Sequence, residues 1–386
     1  MMTNLSKAIQ REIALFKDAI ELDGGSIPEV SKSAFCKARK KLKHTAFIEL
    51  SNVIKKEFYR SDEALTWHGY RVLAVDGSTH ELPGSNEIEE HYGVFARRDD
   101  GKAIILARSL MIYDALNHIT LYGQIDKVSQ SENAMFWKYI TEHRTSKKDM
   151  FVFDRAYASR LLLFYLNSIG VQFCFRMKKN WKETDRFCRS GKQSDIITIG
   201  LPFADREKAV QLGITAVRFK CRLVSIELEG GETEILLTSI KDEEKITTQD
   251  LKQLYALRWS VEESYKTFKQ KVCIDNFSGK SVKSVLQDFF VKIFIMNLTA
   301  VAVRPINEAL KKPAVKVKYT YQVNIIEAIA TMKRGVVSFF ITKTIGKALQ
   351  RLYNRLQKNK EPIRPDRKYK RYILKKRKHY MNYKPT

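Results

Sequence analysis

Residues Leu251 to Val272 read LKQLYALRWSVEESYKTFKQKV, and the reading of this stretch decides the rest. It holds no Gly or Pro and is rich in good helix formers, which predicts one long helix. At about 100° per residue, Leu254, Leu257, Val261, Phe268 and Val272 share an apolar stripe fit for a core. Tyr255, Arg258, Glu262 and Lys269 share an adjoining arc of about 60°, which Lys266 and Trp259 extend. One helix face then offers a carboxylate, a guanidinium, two ammonium groups and a phenol. Two readings of it stand: a solvated face on which Arg258 pairs with Glu262, or a site.

The chain has 386 residues, 44% of them hydrophobic, with only 17 Gly and 8 Pro. That suits a globular protein of two or three domains and excludes a disordered one. Its 69 Lys and Arg against 43 Asp and Glu leave a net charge of +26. Such an excess points to a polyanionic partner, of which nucleic acid is the commonest. Cys36, Cys174, Cys188, Cys221 and Cys273 stand far apart with no metal-binding spacing, and no signal peptide precedes them. Both features point to a reducing cytosol. The most apolar window, Phe289 to Val303, falls short of the roughly 20 apolar residues of a membrane span and reads as a buried helix. No membrane role is expected.

Upstream, residues 1 to about 65 read as helices. Leu5 to Leu22 is amphipathic, and Ser31 is an N-cap for a second helix. Ala34, Phe35, Ala38, Leu42, Ala46, Phe47 and Leu50 would form its apolar face. Lys32, Lys37, Arg39, Lys40, Lys41 and Lys43 would form a basic face, either solvated or lying on DNA phosphates. From about 70 the pattern turns to strands. Arg71 to Val75 is an apolar run closed by Asp76-Gly77, and Ala103 to Tyr113 with His118 to Ile125 reads as a hairpin. A helix over Glu132 to His143 precedes the strand Met150 to Phe153, closed by Asp154-Arg155. A helix over Ala158 to Ser168 and a strand over Val171 to Met177 follow. The order predicts an α/β fold built on a mixed sheet with helices packed on it. Ile196 to Ile199, Ala216 to Glu229 and Thr233 to Ile240 read as an antiparallel β-rich insertion. The last 30 residues, 357 to 386, hold twelve Lys or Arg interleaved with tyrosines. That pattern fits either nucleic-acid contact or a solubilising tail.

Asp76 and Asp154 each end an apolar strand, where α/β sheets build their sites. If those strands are neighbours and Glu262 swings in, three carboxylates converge and repel. Mg²⁺ relieves that repulsion while keeping positions open for water and phosphate. Two such ions about 3.5–4 Å apart serve phosphodiester chemistry. Each acid also has a plain reading: turns at Asp76-Gly77-Ser78 and Asp154-Arg155, and an Arg258 partner for Glu262.

Tyr255, Arg258, Glu262 and Lys269 match Y-x2-R-x3-E-x6-K, which resembles the motif of insertion-sequence-4-type DDE transposases. LAVDGSTHELPG (73 to 84) resembles the family's first aspartate block, and FVFDRAYAS (151 to 159) its second. The resemblance covers about 70 to 275, with weaker likeness in SAFCKARKKL (33 to 42). It implies a ribonuclease-H-like catalytic core with a β-rich insertion, flanked by helical N-terminal and C-terminal regions. The expected segments are 1–68, a helical DNA-binding region; 69–179 and 249–310, the two parts of the core; 180–248, the insertion; and 311–386, a basic helical C-terminal region. By the same resemblance, Asp76, Asp154 and Glu262 become a catalytic triad that binds Mg²⁺, with Mn²⁺ as a substitute. Tyr255, Arg258 and Lys269 become DNA contacts, with Lys266, Arg155 and Arg176 as further phosphate candidates. The implied activity is cut-and-paste transposition by a homodimer on paired double-stranded DNA ends, in a bacterial or archaeal cytosol. The alternatives are a nuclease without strand transfer and a catalytically idle DNA-binding protein.

Overall fold

The computed structural model describes residues 9–22, 26–61, 63–227, 231–270, 276–311, 319–335 and 345–363. Along the chain come α1 (Ile9–Leu22), α2 (Lys32–Lys41), α3 (Thr45–Arg60), β1 (Arg71–Leu82), α4 (Asn86–Tyr92), β2 (Ala96–Arg97), β3 (Ala103–Asp114), β4 (Ile119–Lys127) and α5 (Glu132–Glu142). Then follow β5 (Asp149–Phe153), α6 (Arg160–Ser168), β6 (Gln172–Arg176), α7 (Lys182–Ser190), β7 (Ser194–Gly200), α8 (Arg206–Gln211), β8 (Arg218–Glu227) and β9 (Thr233–Thr238). The last are α9 (Thr248–Ala256), α10 (Trp259–Gln270), α11 (Val282–Lys311), β10 (Tyr321–Val323), α12 (Ile325–Gly335), α13 (Ile345–Lys358) and β11 (Lys360–Pro362). The chain divides into two compact units: Ala64–Thr79 with Arg108–Tyr265, and Met1–Glu63 with His80–Ala107 and Lys266–Thr386.

The first unit is built on a mixed sheet of order β4-β3-β1-β5-β6-β9-β8-β7. β1, β5 and β6 run parallel, and β6, β9, β8 and β7 pair antiparallel. Strands buried on both faces must be apolar throughout, and FVF and QFCF read that way. Leu73, Val75, Phe151, Phe153, Phe173 and Phe175 point to one face, against Phe136 and Tyr139 of α5 and Leu162 and Leu163 of α6. Val72, Met150, Val152 and Cys174 point to the other, against Leu251, Leu254 and Tyr255 of α9. The period-2 alternation of the strands thus feeds two cores.

Two expectations change here. The β-rich stretch does supply antiparallel strands, but β9 pairs with β6, so they extend the same sheet. It also carries α7 and α8, which strand-rich composition hid; α7 forms because Thr184 and Phe187 find burial. The described part of this stretch, 251–270, is two helices rather than one. Leu257 and Arg258 interrupt it, with Ser260 N–H bonding to Leu257 O and Val261 N–H to Arg258 O. These i→i+3 bonds tighten the backbone into a turn, so one angular frame does not span Tyr255 to Lys269. Val272 lies outside the described residues.

The second unit centres on α11, 30 residues long with Pro305 inside it. Its length and composition suffice to cross a membrane, yet 61% of its most apolar window is buried in protein. The expected buried helix is present, and longer than its most apolar window. Ser31 caps α2 as expected, accepting from Ala34 N–H. The expected apolar face is not a core face: α2 buries no residue, and Leu42 and Leu50 are exposed. The helix stops at Lys41 because Gln287 Nε2 donates to the carbonyls of Arg39 and Leu42. Arg39 leaves the basic face and turns inward. Its guanidinium meets Asp288 at 2.8 Å and also donates to Gln287 and Ser278, satisfying several buried acceptors from one fork. The basic tail from 364 onward lies outside the described residues.

Candidate active site

β1 does not end at Asp76, as the apolar run implied; it runs on to Leu82. What ends is the parallel pairing, whose register sets Arg71 opposite Asp149 and Ala74 opposite Val152. Continuing that one-to-one register by two residues sets Asp76 opposite Asp154, just past the end of β5. Asp76 is therefore extended backbone rather than a turn. Asp154 does open a turn, closed by Tyr157 N–H to its carbonyl at 3.1 Å.

Glu262 is brought in by α10. Tyr265, one turn along the same helix, is buried and donates its hydroxyl to Asp76 O at 3.2 Å. Ser109 Oγ lies 3.3 Å from the same hydroxyl. Helix and strand are thus pinned beside the two acids. Arg258 sits in the break between α9 and α10, only 4% exposed, and donates to Glu262 Oε1 at 2.7 Å. Its charge also reaches Asp76 and Asp154. Burial alone would lower its pKa, but Tyr255, Glu262 and Asp154 hold it above the usual range. One guanidinium therefore serves three carboxylates, and the plain reading of Arg258 as the partner of Glu262 holds alongside the site.

Burial raises the Asp76 pKa, and Glu132 and Glu262 add to that, while Gly77 N–H and Arg258 oppose it. The balance is about 7. Arg176 lies 3.8 Å from Asp154 Oδ1 and 2.5 Å from the buried Glu234, so its charge is shared between them. Tyr255 is buried, and its hydroxyl has no hydrogen-bond partner. Arg155 and Lys266 are exposed and Lys269 half-buried. Trp259 is 42% exposed, with the Arg258 guanidinium 4.9 Å above its ring. Among the described residues, no three His, Cys, Asp or Glu side chains cluster tightly enough to hold one metal ion. The donors that surround Arg258 are nonetheless all oxygen and mostly carboxylate, which fits a hard divalent cation and not a soft one.

Sequence reasoning missed four residues of this neighbourhood. Glu234 is an acid inside the apolar run of β9, a signal in itself. Tyr157, three positions after Asp154, donates to Glu132 Oε2 at 3.0 Å. Glu132 opens α5 after the N-cap Ser131, where an acid invites no comment. Tyr265 had no signal beyond its place one turn from Glu262.

Residues 67–298, which include all three acids, match the family profile of the transposase DDE domain. The chain is 23% identical over 316 residues to the transposase InsG for insertion sequence element IS4 from Escherichia coli (strain K12). That match covers 79% of this chain and 69% of InsG. A solved piggyBac transposase synaptic complex with hairpin DNA superposes with a TM-score of 0.42 at 12% identity. It covers 74% of this chain, which spans 57% of that longer one. With the profile matched over more than half its length, the chain belongs to the DDE transposases, of the insertion-sequence-4 type.

Proposed function

We propose that this chain is a cut-and-paste transposase that cleaves the ends of its element and joins the freed 3′-hydroxyl to target DNA. The observation that carries the reading is the register that sets Asp76 and Asp154 level on adjacent parallel strands, with the helix of Glu262 pinned to Asp76 through Tyr265. The order β4-β3-β1-β5-β6 supports a ribonuclease-H-like core.

In this reading Asp76, Asp154 and Glu262 hold divalent cations, Mg²⁺ or Mn²⁺. Bound there, the cations lower the pKa of attacking water and stabilise the leaving oxygen. Arg258 neutralises the three acids and keeps them from splaying apart by mutual repulsion. Arg258 is held by Glu262, and its guanidinium has the fork geometry that would suit a DNA phosphate if Glu262 served a cation instead. Tyr255 and Arg258 are buried; Arg258 holds Glu262, and Tyr255 packs beneath the sheet. Arg155, Lys266 and Lys269 are the readier backbone contacts, positioning DNA without reading sequence. Arg176 steadies Asp154 from Glu234. Paired double-stranded ends held by a homodimer, in a cytosolic setting, complete the proposal.

The test is a strand-cleavage and joining assay on the element's own ends in Mg²⁺ or Mn²⁺. Wild type is compared with Asp154→Asn and Glu262→Gln. Nicked and joined products that disappear in both variants are the expected result. Nicking without joining makes the chain a nuclease. Tight DNA binding with no metal-dependent cleavage leaves an idle DNA-binding protein.

A further inference from the structure

β7 is the last strand of the sheet, and among the described residues it pairs only with β8. Which of its backbone groups are used can be read from the hairpin. Ser225 N–H bonds to Gln193 O and Leu201 N–H to Val217 O, and bonding alternates along an antiparallel strand. The odd-numbered residues from 193 to 201 therefore face β8. Ser194, Ile196, Thr198 and Gly200 turn their N–H and C=O groups to the free side. Gly200 O accepts there from Arg160 Nη1 at 3.3 Å. Among the described residues, the outward groups of Ile196 and Thr198 meet no protein partner.

An open edge strand is a template for pairing with another chain, and proteins commonly guard such edges with Lys, Pro or a bulge. SDIITIG holds neither Lys nor Pro, and its register with β8 runs unbroken from Ser194 to Gly200. Its one charge, Asp195, is paired with Lys192 at 3.2 Å. Its Ile and Thr residues are strong strand formers. The surface beside the edge is apolar as well. Ile196 is 46% exposed, and at the end of the hairpin Phe203 is 83%, Val210 75% and Val217 53% exposed.

Charge decides what can lie on this edge. Two copies of a chain that carries +26 repel one another over most of their surface. From Gln193 to Val217, however, the acids Asp195, Asp205 and Glu207 stand against the bases Arg206 and Lys208 alone. DNA phosphates gain little from such a stretch, whereas a second copy meets it without repulsion. An antiparallel strand is also complementary to itself. A twofold axis across β7 sets the outward groups of one copy against the same groups of the other.

Resting on the homodimer reading above, we infer that β7 of one copy pairs antiparallel with β7 of a second, joining the two sheets edge to edge. The outward groups of Ile196 and Thr198 make the ladder, and the apolar hairpin ends flank it.

The test is sedimentation velocity of the full-length protein, free and bound to a duplex that carries one element end. Thr198→Pro removes an outward N–H and leaves the bonds to β8 in place, as proline requires of an edge strand. It is expected to weaken pairing of the copies at least about tenfold, with both copies losing a donor. Thr198→Val keeps the N–H and is expected to pair as wild type does. Ile196→Lys adds a guarding cation at a half-exposed position, is expected to separate the copies as well, and decides the matter if Thr198→Pro melts early. Folded Thr198→Pro or Ile196→Lys pairing as tightly as wild type overturns this inference alone. Wild type that stays monomeric both free and on DNA overturns the homodimer reading with it.

Discussion

Gly77→Ala isolates the packing of Glu132 on the first-aspartate strand. Gly77 shows no left-handed backbone, so alanine meets no conformational penalty there. The three atoms nearest the added Cβ all belong to the outer part of the Glu132 side chain, which can swing away. Swinging away breaks the hydrogen bond from Tyr157 and leaves its buried hydroxyl unsatisfied. A hydrogen bond to a charged group contributes about 1.5–3 kcal/mol. Against this, alanine restricts the unfolded chain and returns about 0.4–1 kcal/mol. The net expectation is a destabilisation of about 1–2 kcal/mol. At roughly 2–4 °C per kcal/mol for a unit of this size, the melting temperature falls by about 2–8 °C. The measurement belongs at pH 5 in EDTA. There Asp76, with its pKa of about 7, holds a proton, and relief of its repulsion with Glu132 does not hide the effect. In a Glu132→Ala background the collision is gone, and Gly77→Ala should be neutral or stabilising by about 0.4–1 kcal/mol. A double-mutant cycle reads the difference directly. Gly77→Ala costing the same in both backgrounds would mean that Glu132 does not lie on Gly77.

Two further outcomes follow from the same geometry. The Asp76 pKa is raised from 3.8 to about 7, so the folded state holds a proton that the unfolded chain gives up, and stability falls as pH rises through that window. Asp76→Asn should match wild type below pH 4 and exceed it above pH 7 by about 2 kcal/mol, a discounted share of 1.36 kcal/mol per pH unit; urea titrations in EDTA that show a constant difference refute it. Arg39→Ala leaves Asp288 buried and unpaired and should cost about 3–5 kcal/mol. Lys37→Ala and Lys40→Ala, at exposed positions on the same helix, should keep stability and instead flatten the salt dependence of DNA binding, its slope falling by roughly 0.9 for each phosphate no longer neutralised. Equal effects of all three changes would mean that α2 does not divide this way.

The strand pattern was legible because β5, Val72 to Val75 of β1 and Phe173 to Phe175 of β6 are buried on both faces and must be apolar. Asp76 and Asp154 stood out against such runs for the same reason. What could not be read was where β1 ends. Nothing in VDGSTHEL separates a strand that stops from one that loses its parallel neighbour and continues. The inward turn of Glu132 and Arg39 was equally illegible. One looks like an ordinary first-turn acid and the other like one cation among many, and only the acceptors or donors that await each side chain decide its direction. In α7, a run of charged residues around Phe187 hid a helix whose formation depends on packing against the sheet.

The break at Leu257 and Arg258 changes what the four-residue motif means. On one straight helix Tyr255, Arg258, Glu262 and Lys269 would share an arc and act together on whatever lies outside. With the turn in place, Tyr255 belongs to α9 and packs under the sheet with Leu251 and Leu254. Arg258 occupies the corner, the one place from which a guanidinium four residues before Glu262 also reaches Asp76 and Asp154. Only Lys266 and Lys269, further along α10, keep partly or fully exposed ammonium groups. The motif is thus split by depth. In its first half Arg258 holds acids whose convergence would otherwise be repulsive, and in its second half the lysines lie nearer the surface. A family pattern with fixed spacing therefore records a backbone turn as well as a set of side chains. Inserting one residue between Tyr255 and Arg258 should abolish cleavage in the strand-cleavage assay even though every motif residue is retained.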